Sequence, residues 1–173
     1  MMEIFSLQYP LKKEGFEIEP FTLERGAIYK VIGPFQLQQY LLGRAYKKHF
    51  SLHGKAKVIY SHRAEGFRWK NVRFLLEKRR GASVADFFMQ SLNLPDDTTI
   101  DNLSGTSSIN LFNFELNYDR FDLFYFIELG YDPVGTDLLY QYMRLRINQD
   151  KCFIVQDVWA TGKELDKITL TKL

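Results

Sequence analysis

His49 and His53 are four residues apart, a spacing that one turn of helix would convert into two imidazoles on a common face. That is half of a metal site, and no cysteine or carboxylate stands close enough in the chain to complete it. His62 is solitary, and a solitary histidine is ordinarily a surface or core residue. Cys152 is the single cysteine, which excludes an internal disulfide framework and suits a reducing cytoplasm. Charge is the stronger chemical signal. The net charge of +2 hides a segment from Arg44 to Arg80 with a net of +10 and one from Asp86 to Asp137 with a net of −9. Two solvated faces would account for this. So would a basic surface for an acidic partner or lipid headgroups, with an acidic surface elsewhere.

The elements that must position these groups follow from periodicity. Alternation predicts strands over 3–9 and 16–22, with Pro20 marking an edge, and a short apolar strand over 28–32. Gly33-Pro34 is a turn signal, followed by a predicted helix from Phe35 to Phe50 with Leu37, Tyr40, Leu41 and Ala45 along one face. A strand over 57–61 and a helix over 71–78 come next. Ser83 is suited to cap a helix carrying Val84, Phe87, Phe88 and Leu92, which Pro95 ends. A helix over 104–118 precedes residues 121–127, apolar almost throughout, as in a strand buried on both faces. A helix over 137–147, a buried strand over 152–155 and a short strand over 167–172 complete the chain. Strands alternating with helices imply one α/β domain with a mainly parallel sheet. Hydrophobic residues make up 46% and aromatic residues 16%. Wholesale disorder is excluded, no apolar run is long enough for a membrane span, and no signal peptide is expected at the start of the chain.

In order and spacing these landmarks resemble the nucleotide-binding domain of ATP-binding cassette (ABC) ATPases, from Tyr9 to Leu170. The segment 21–43 is similar to the family's entry strand, phosphate-binding loop and helix. A working loop reads G-x-x-x-x-G-K-S/T, so that backbone N–H groups wrap phosphates and the Lys neutralises them. Gly33 and Pro34 match its start, but Gln36 and Gln38 hold the glycine positions, Gln39 the Lys position and Tyr40 that of the metal-binding Ser. His62 takes the place of the family's metal- and water-contacting Gln. Leu103-Ser104-Gly105 matches the opening of the L-S-G-G-Q signature, with Thr106 and Ser107 following. Counting on from Ser104 puts Ile127 at the Mg²⁺-binding Asp position and Glu128 at that of the water-polarising Glu. Asp132-Pro133 matches the interface loop, and Gln156 replaces the γ-phosphate-sensing His. Tyr9 stands where an aromatic would stack on adenine.

The resemblance therefore implies a P-loop-NTPase-like fold: a mainly parallel sheet, an antiparallel edge and a reduced helical subdomain. It also implies the loss of the groups that hydrolysis needs, since Gln39, Tyr40, Ile127 and Gln156 replace a cation, a metal hydroxyl, a metal carboxylate and a proton-bearing imidazole. Glu128 and Gln156 would be vestiges, with no metal and no cofactor. The implied function is a catalytically inactive scaffold or regulatory subunit of a cytoplasmic, membrane-associated assembly. Three alternatives stay open. One is a nucleotide- or anion-binding regulatory module without hydrolysis, drawing on Arg44, Lys47 and Lys48. The second is a transporter's ATP-binding subunit with residual activity in a heterodimer. The third is nucleic-acid binding by the basic segment, for which no RNA or DNA motif is present. In the family, the stretch after the Gln docks a membrane subunit. By carry-over, Phe67, Arg68, Trp69, Lys70 and Arg73 would bind a partner: a membrane subunit, another ABC-like domain in a homo- or heterodimer, or an anionic membrane surface at the inner face.

Overall fold

The computed structural model describes residues 2–13, 15–60, 69–128, 133–158 and 167–173, with the backbone alone for Tyr46 and Glu128. The chain divides into two compact units, one built from residues 1–59, 119–129 and 143–173, the other from 60–118 and 130–142. His62, Phe67, Arg68 and Asp132 lie outside the described residues.

The first unit is made of sheets. Its strands are β1 (Glu3–Leu7), β2 (Leu11–Lys13), β3 (Phe16–Ile18), β4 (Phe21–Glu24), β5 (Ala27–Gly33), β6 (Phe50–Leu52), β7 (Ala56–Ile59), β8 (Leu123–Glu128), β9 (Cys152–Val158), β10 (Lys167–Ile168) and β11 (Leu170–Lys172). The largest sheet runs β11-β5-β9-β8-β7, with β5, β9, β8 and β7 parallel and β11 antiparallel at the edge. This is the expected mainly parallel sheet with an antiparallel edge. Its centre is the two apolar runs. Leu123 to Phe126 and Cys152 to Val155 have no exposed surface, as strands covered on both faces require. On one face Phe153 packs edge-on against Phe124 and Phe126. On the other, Tyr125, Ile127 and Ile154 join Ile4, Leu23 and Leu37 in one apolar core. Burying each such side chain contributes roughly 1.5–3 kcal/mol.

Two smaller sheets, β4-β1-β6 and β10-β3-β2, cut the predicted 16–22 strand in two and add strands at 11–13 and 50–52 that alternation does not reveal. Pro20 falls between β3 and β4, where its missing N–H removes no ladder bond. The predicted helix over 35–50 is shorter. Helix α1 (Leu37–Leu42) stops at Gly43, where a Cβ would sit 2.1 Å from the Gln39 carbonyl oxygen. A 3₁₀ turn over Arg44–His49 follows, leaving Ala45 exposed, and Phe50 enters β6 because its ring stacks on Phe5 at 5.3 Å.

Helices make the second unit: α2 (Val72–Arg80), α3 (Ala82–Ser91), α4 (Gly105–Asn117) and the first part of α5 (Pro133–Arg146). Asn71 caps α2 by accepting from the Phe74 N–H at 2.8 Å. Gly81, at φ +90°, closes α2 and opens α3. A conformation that only glycine adopts readily therefore sets that boundary, and Ser83 lies inside the helix rather than at its cap. α5 begins earlier than periodicity suggests because Pro133 supplies a first-turn residue whose lost N–H has no helical partner. Phe88 packs on Phe112 and Tyr142, and Phe114 on Tyr142.

Cys152 is fully buried, and burial pushes its thiol up to about 12. We expect a thiol reagent at pH 8 to leave it unmodified in the native protein and to react on addition of denaturant. Labelling at the native rate of a free thiol would contradict this burial. The raised value also fixes a sign. The thiol's contribution to stability is complete below about 9, its ordinary value, and is lost as pH climbs toward about 12.

Candidate functional site

The parallel strands bring their carboxyl ends together at one edge of the sheet, where ligands of open α/β folds usually bind. Gly33 of β5 pairs with Val158 of β9, Gln156 with Ile127 of β8, and Asp157 with Glu128. The register thus gathers Gly33, Pro34, Ile127, Glu128 and Gln156, which are far apart in sequence.

The connection from β5 to α1 is short. Only Pro34, Phe35 and Gln36 lie between Gly33 and Leu37. No residue from Gly33 to Gln36 has a positive φ, so the loop takes none of the left-handed turns that glycines permit. The start of α1 closes on the loop's carbonyls: the Leu37 N–H donates to Pro34 at 2.9 Å and the Gln39 N–H to Gln36 at 2.8 Å. A Cβ on Gly33 would meet Leu37 Cδ2 at 2.7 Å, so this glycine lets the buried Leu37 pack under the strand end.

Gln156 fastens the loop from below. Its side chain is fully buried, and its Nε2 donates to the Gly33 carbonyl at 3.1 Å and the Pro34 carbonyl at 2.6 Å. Its Oε1 accepts from the Tyr125 hydroxyl at 2.9 Å. Burial holds the Tyr125 phenol well above its ordinary value, so it stays a donor. Three buried polar groups thereby satisfy one another around one amide.

The other loop residues are spread over different surroundings. Gln36 and Gln39 are exposed. Gln38 is buried, with its Oε1 lacking a hydrogen-bond partner among the described residues. Tyr40 packs edge-on against Phe16, with the Lys13 ammonium 5.5 Å from its ring centre. Ile127 belongs to the apolar core. Asp157 faces Lys30 at 3.6 Å. Tyr9, in the turn after β1, is 81% exposed.

In the helical unit, Leu103 is buried and Ser104 is the N-cap residue of α4 without a side-chain cap bond. Gly105 follows at φ +76°. His49 and His53 do not form a pair on one helical turn, because the strand Phe50–Leu52 separates them. His53 instead lies 3.1 Å from the Ser51 hydroxyl and 3.9 Å from Glu3.

The basic segment splits its cations between two tasks. Arg73 is drawn into the unit by Asp86, Asp96 and Glu77, and the hydrogen bond to Asp86 is the main cause that raises its pKa. It is a clamp between α2, α3 and the 96 turn rather than an outward-facing group. Arg80 is likewise taken inward by buried Glu115. Trp69, Lys70, Lys78 and Arg79 are exposed. So is Phe74, at 58%, which the carried-over partner set omits. Its position opposite the buried Val72 and Leu76 on α2 is the periodicity signal that could have found it.

No protein-family model and no curated protein matches this sequence. Solved structures do match by shape. A metal-chelate type ABC transporter in an inward-facing conformation aligns with a TM-score of 0.57 at 16% identity, over 91% of this chain and 73% of that one. A nucleotide-free ATP-binding cassette of an ABC transporter gives 0.55 at 10% identity, over 90% and 81%. A cassette in its ADP conformation gives 0.55 at 10% identity, over 92% and 83%. With its parallel sheet, its gathered strand ends and its separate helical unit, this chain has the fold of an ATP-binding cassette.

Proposed function

We propose that this chain is a pseudo-ATPase: an ATP-binding-cassette fold that does not hydrolyse ATP and serves as a scaffold or regulatory subunit of a larger assembly. One observation carries the proposal. The Gln156 amide is consumed by the carbonyls of Gly33 and Pro34, in a three-residue loop that makes no left-handed turn. A phosphate at this strand end would meet no lysine from the loop, and Ile127 offers no oxygen to Mg²⁺. The partner class this supports is a membrane subunit or a second cassette-like domain, the associations the family resemblance implies. Among the described residues no helix is long and apolar enough to cross a membrane.

The decisive measurement is turnover of Mg-ATP by the purified protein. We expect a rate at background, unchanged by Glu128→Gln, and no thermal shift with ATP or ADP. Turnover abolished by Glu128→Gln would replace the proposal with an ATP-hydrolysing subunit. A nucleotide-induced shift without turnover would replace it with a regulatory nucleotide binder.

A further inference from the structure

We propose that the outward face of α2 is an electrostatic and aromatic contact site for an anionic lipid surface. The inference rests on how this helix distributes its residues and does not depend on whether the cassette hydrolyses ATP.

Nine residues of α2 carry four cations, Arg73, Lys78, Arg79 and Arg80. Arg73 compensates Asp86 and Asp96, and Arg80 compensates Glu115. Glu77, Asp86, Asp96 and Glu115 are thus ion-paired within the unit, three of them on the single guanidinium of Arg73. Lys78 and Arg79 are left pointing outward, with no ion-pair partner among the described residues. Lys70, in the bend before the helix, lines the same hollow as Phe74 and Lys78, which are one turn apart on α2.

Aromatic residues stand between the cations. Trp69 is 85% exposed and Phe74 58% exposed, while Val72 and Leu76 hold the opposite side of the helix in the core. Lys70, Phe74, Leu75, Lys78 and Arg79 frame a hollow of about 350 Å³ with an apolar floor and a cationic rim. Exposed Trp and Phe beside Lys and Arg are the features of helices that lie at a lipid interface: rings enter the headgroup layer, long cationic side chains reach its phosphates. Trp69 projects almost free of its own fold. Each Lys or Arg near an anionic surface adds a several-fold increase in affinity, and the effect is screened by salt.

The test is co-sedimentation of the whole chain with vesicles of phosphatidylcholine alone or with 30% phosphatidylserine (about that composition being enough for a negative surface). We expect binding to the anionic vesicles only, weakened severalfold by raising salt from about 50 to 200 mM. Reversal of Lys78 and Arg79 to Glu should weaken it at least tenfold, and Phe74→Ala severalfold. Reversal of Arg44 and Lys47 to Glu, exposed cations of the other unit, should leave it within twofold. Far-ultraviolet circular dichroism confirms that each variant is folded. The proposal is overturned by no binding, by equal binding to neutral vesicles, by unaltered binding of the Lys78/Arg79 variant, or by capture of an acidic helical peptide without vesicle binding.

Discussion

Replacing Gln156 by Ala should lower the unfolding free energy by about 3 kcal/mol. The amide is fully buried and makes three hydrogen bonds, to the Gly33 carbonyl, the Pro34 carbonyl and the Tyr125 hydroxyl. Truncation removes all three bonds, leaving the Pro34 carbonyl only the Leu37 N–H, and opens a cavity beneath the loop. For a chain of this size the expected fall in Tm is roughly 6–12 °C. Two further variants separate the causes. Tyr125→Phe removes one of the three bonds and should cost about 1–2 kcal/mol. Gln156→Glu keeps the volume but turns a donor into an acceptor against two carbonyl oxygens, and should cost at least as much as the Ala variant. Urea denaturation reads all three. A Gln156→Ala protein as stable as the parent would mean that the amide does not fasten the loop, and would remove the main support for the pseudo-ATPase proposal.

Glu115→Ala should be the most damaging single change in the helical unit, at about 3–5 kcal/mol. Glu115 has no exposed surface. Its Oε1 accepts from the Tyr142 hydroxyl at 2.8 Å, and its Oε2 lies 3.5 Å from Arg80 Nε. Arg80 in turn sits 4.6 Å over the Tyr118 ring, which leaves its guanidinium little access to water once the carboxylate is gone. The penalty comes from the cation left behind more than from the lost attraction. Pairing Glu115→Leu with Arg80→Met should therefore recover much of the loss. A double variant no more stable than Glu115→Ala would show that packing, not the uncompensated charge, sets the cost.

Both clusters join residues whose separation in sequence conceals them. Gln156 and Tyr125 are thirty-one positions apart, and Tyr142 and Glu115 twenty-seven. Nothing in the local pattern marks Gln156 as the fastener of a loop near residue 34. The family resemblance sets it at the γ-phosphate-sensing position, and the strand register pairs it with Ile127. The opposite outcome holds for Arg73. Its place in a basic run suggests an outward cation, but Asp86 and Asp96 come from later segments that only the folded helices bring within reach.

Chain periodicity determined the central strands. Runs such as 123–127 and 152–155 have no polar face to expose, so burial on both sides was the only low-energy outcome. It also located the helices expected over 71–78 and 104–118, which run over 72–80 and 105–117, the first capped by Asn71. The family resemblance sets Gln39, Ile127 and Gln156 at the positions of the phosphate-loop lysine, the metal carboxylate and the imidazole. What tertiary structure alone decided is what those positions do instead. Phe50 leaves a helical pattern for a strand because its ring stacks on Phe5, and a long-range packing gain outweighs a weak local propensity. Gln156 turns to the backbone because a buried amide must find partners, and Gly33, Pro34 and Tyr125 are the ones the parallel sheet puts within reach.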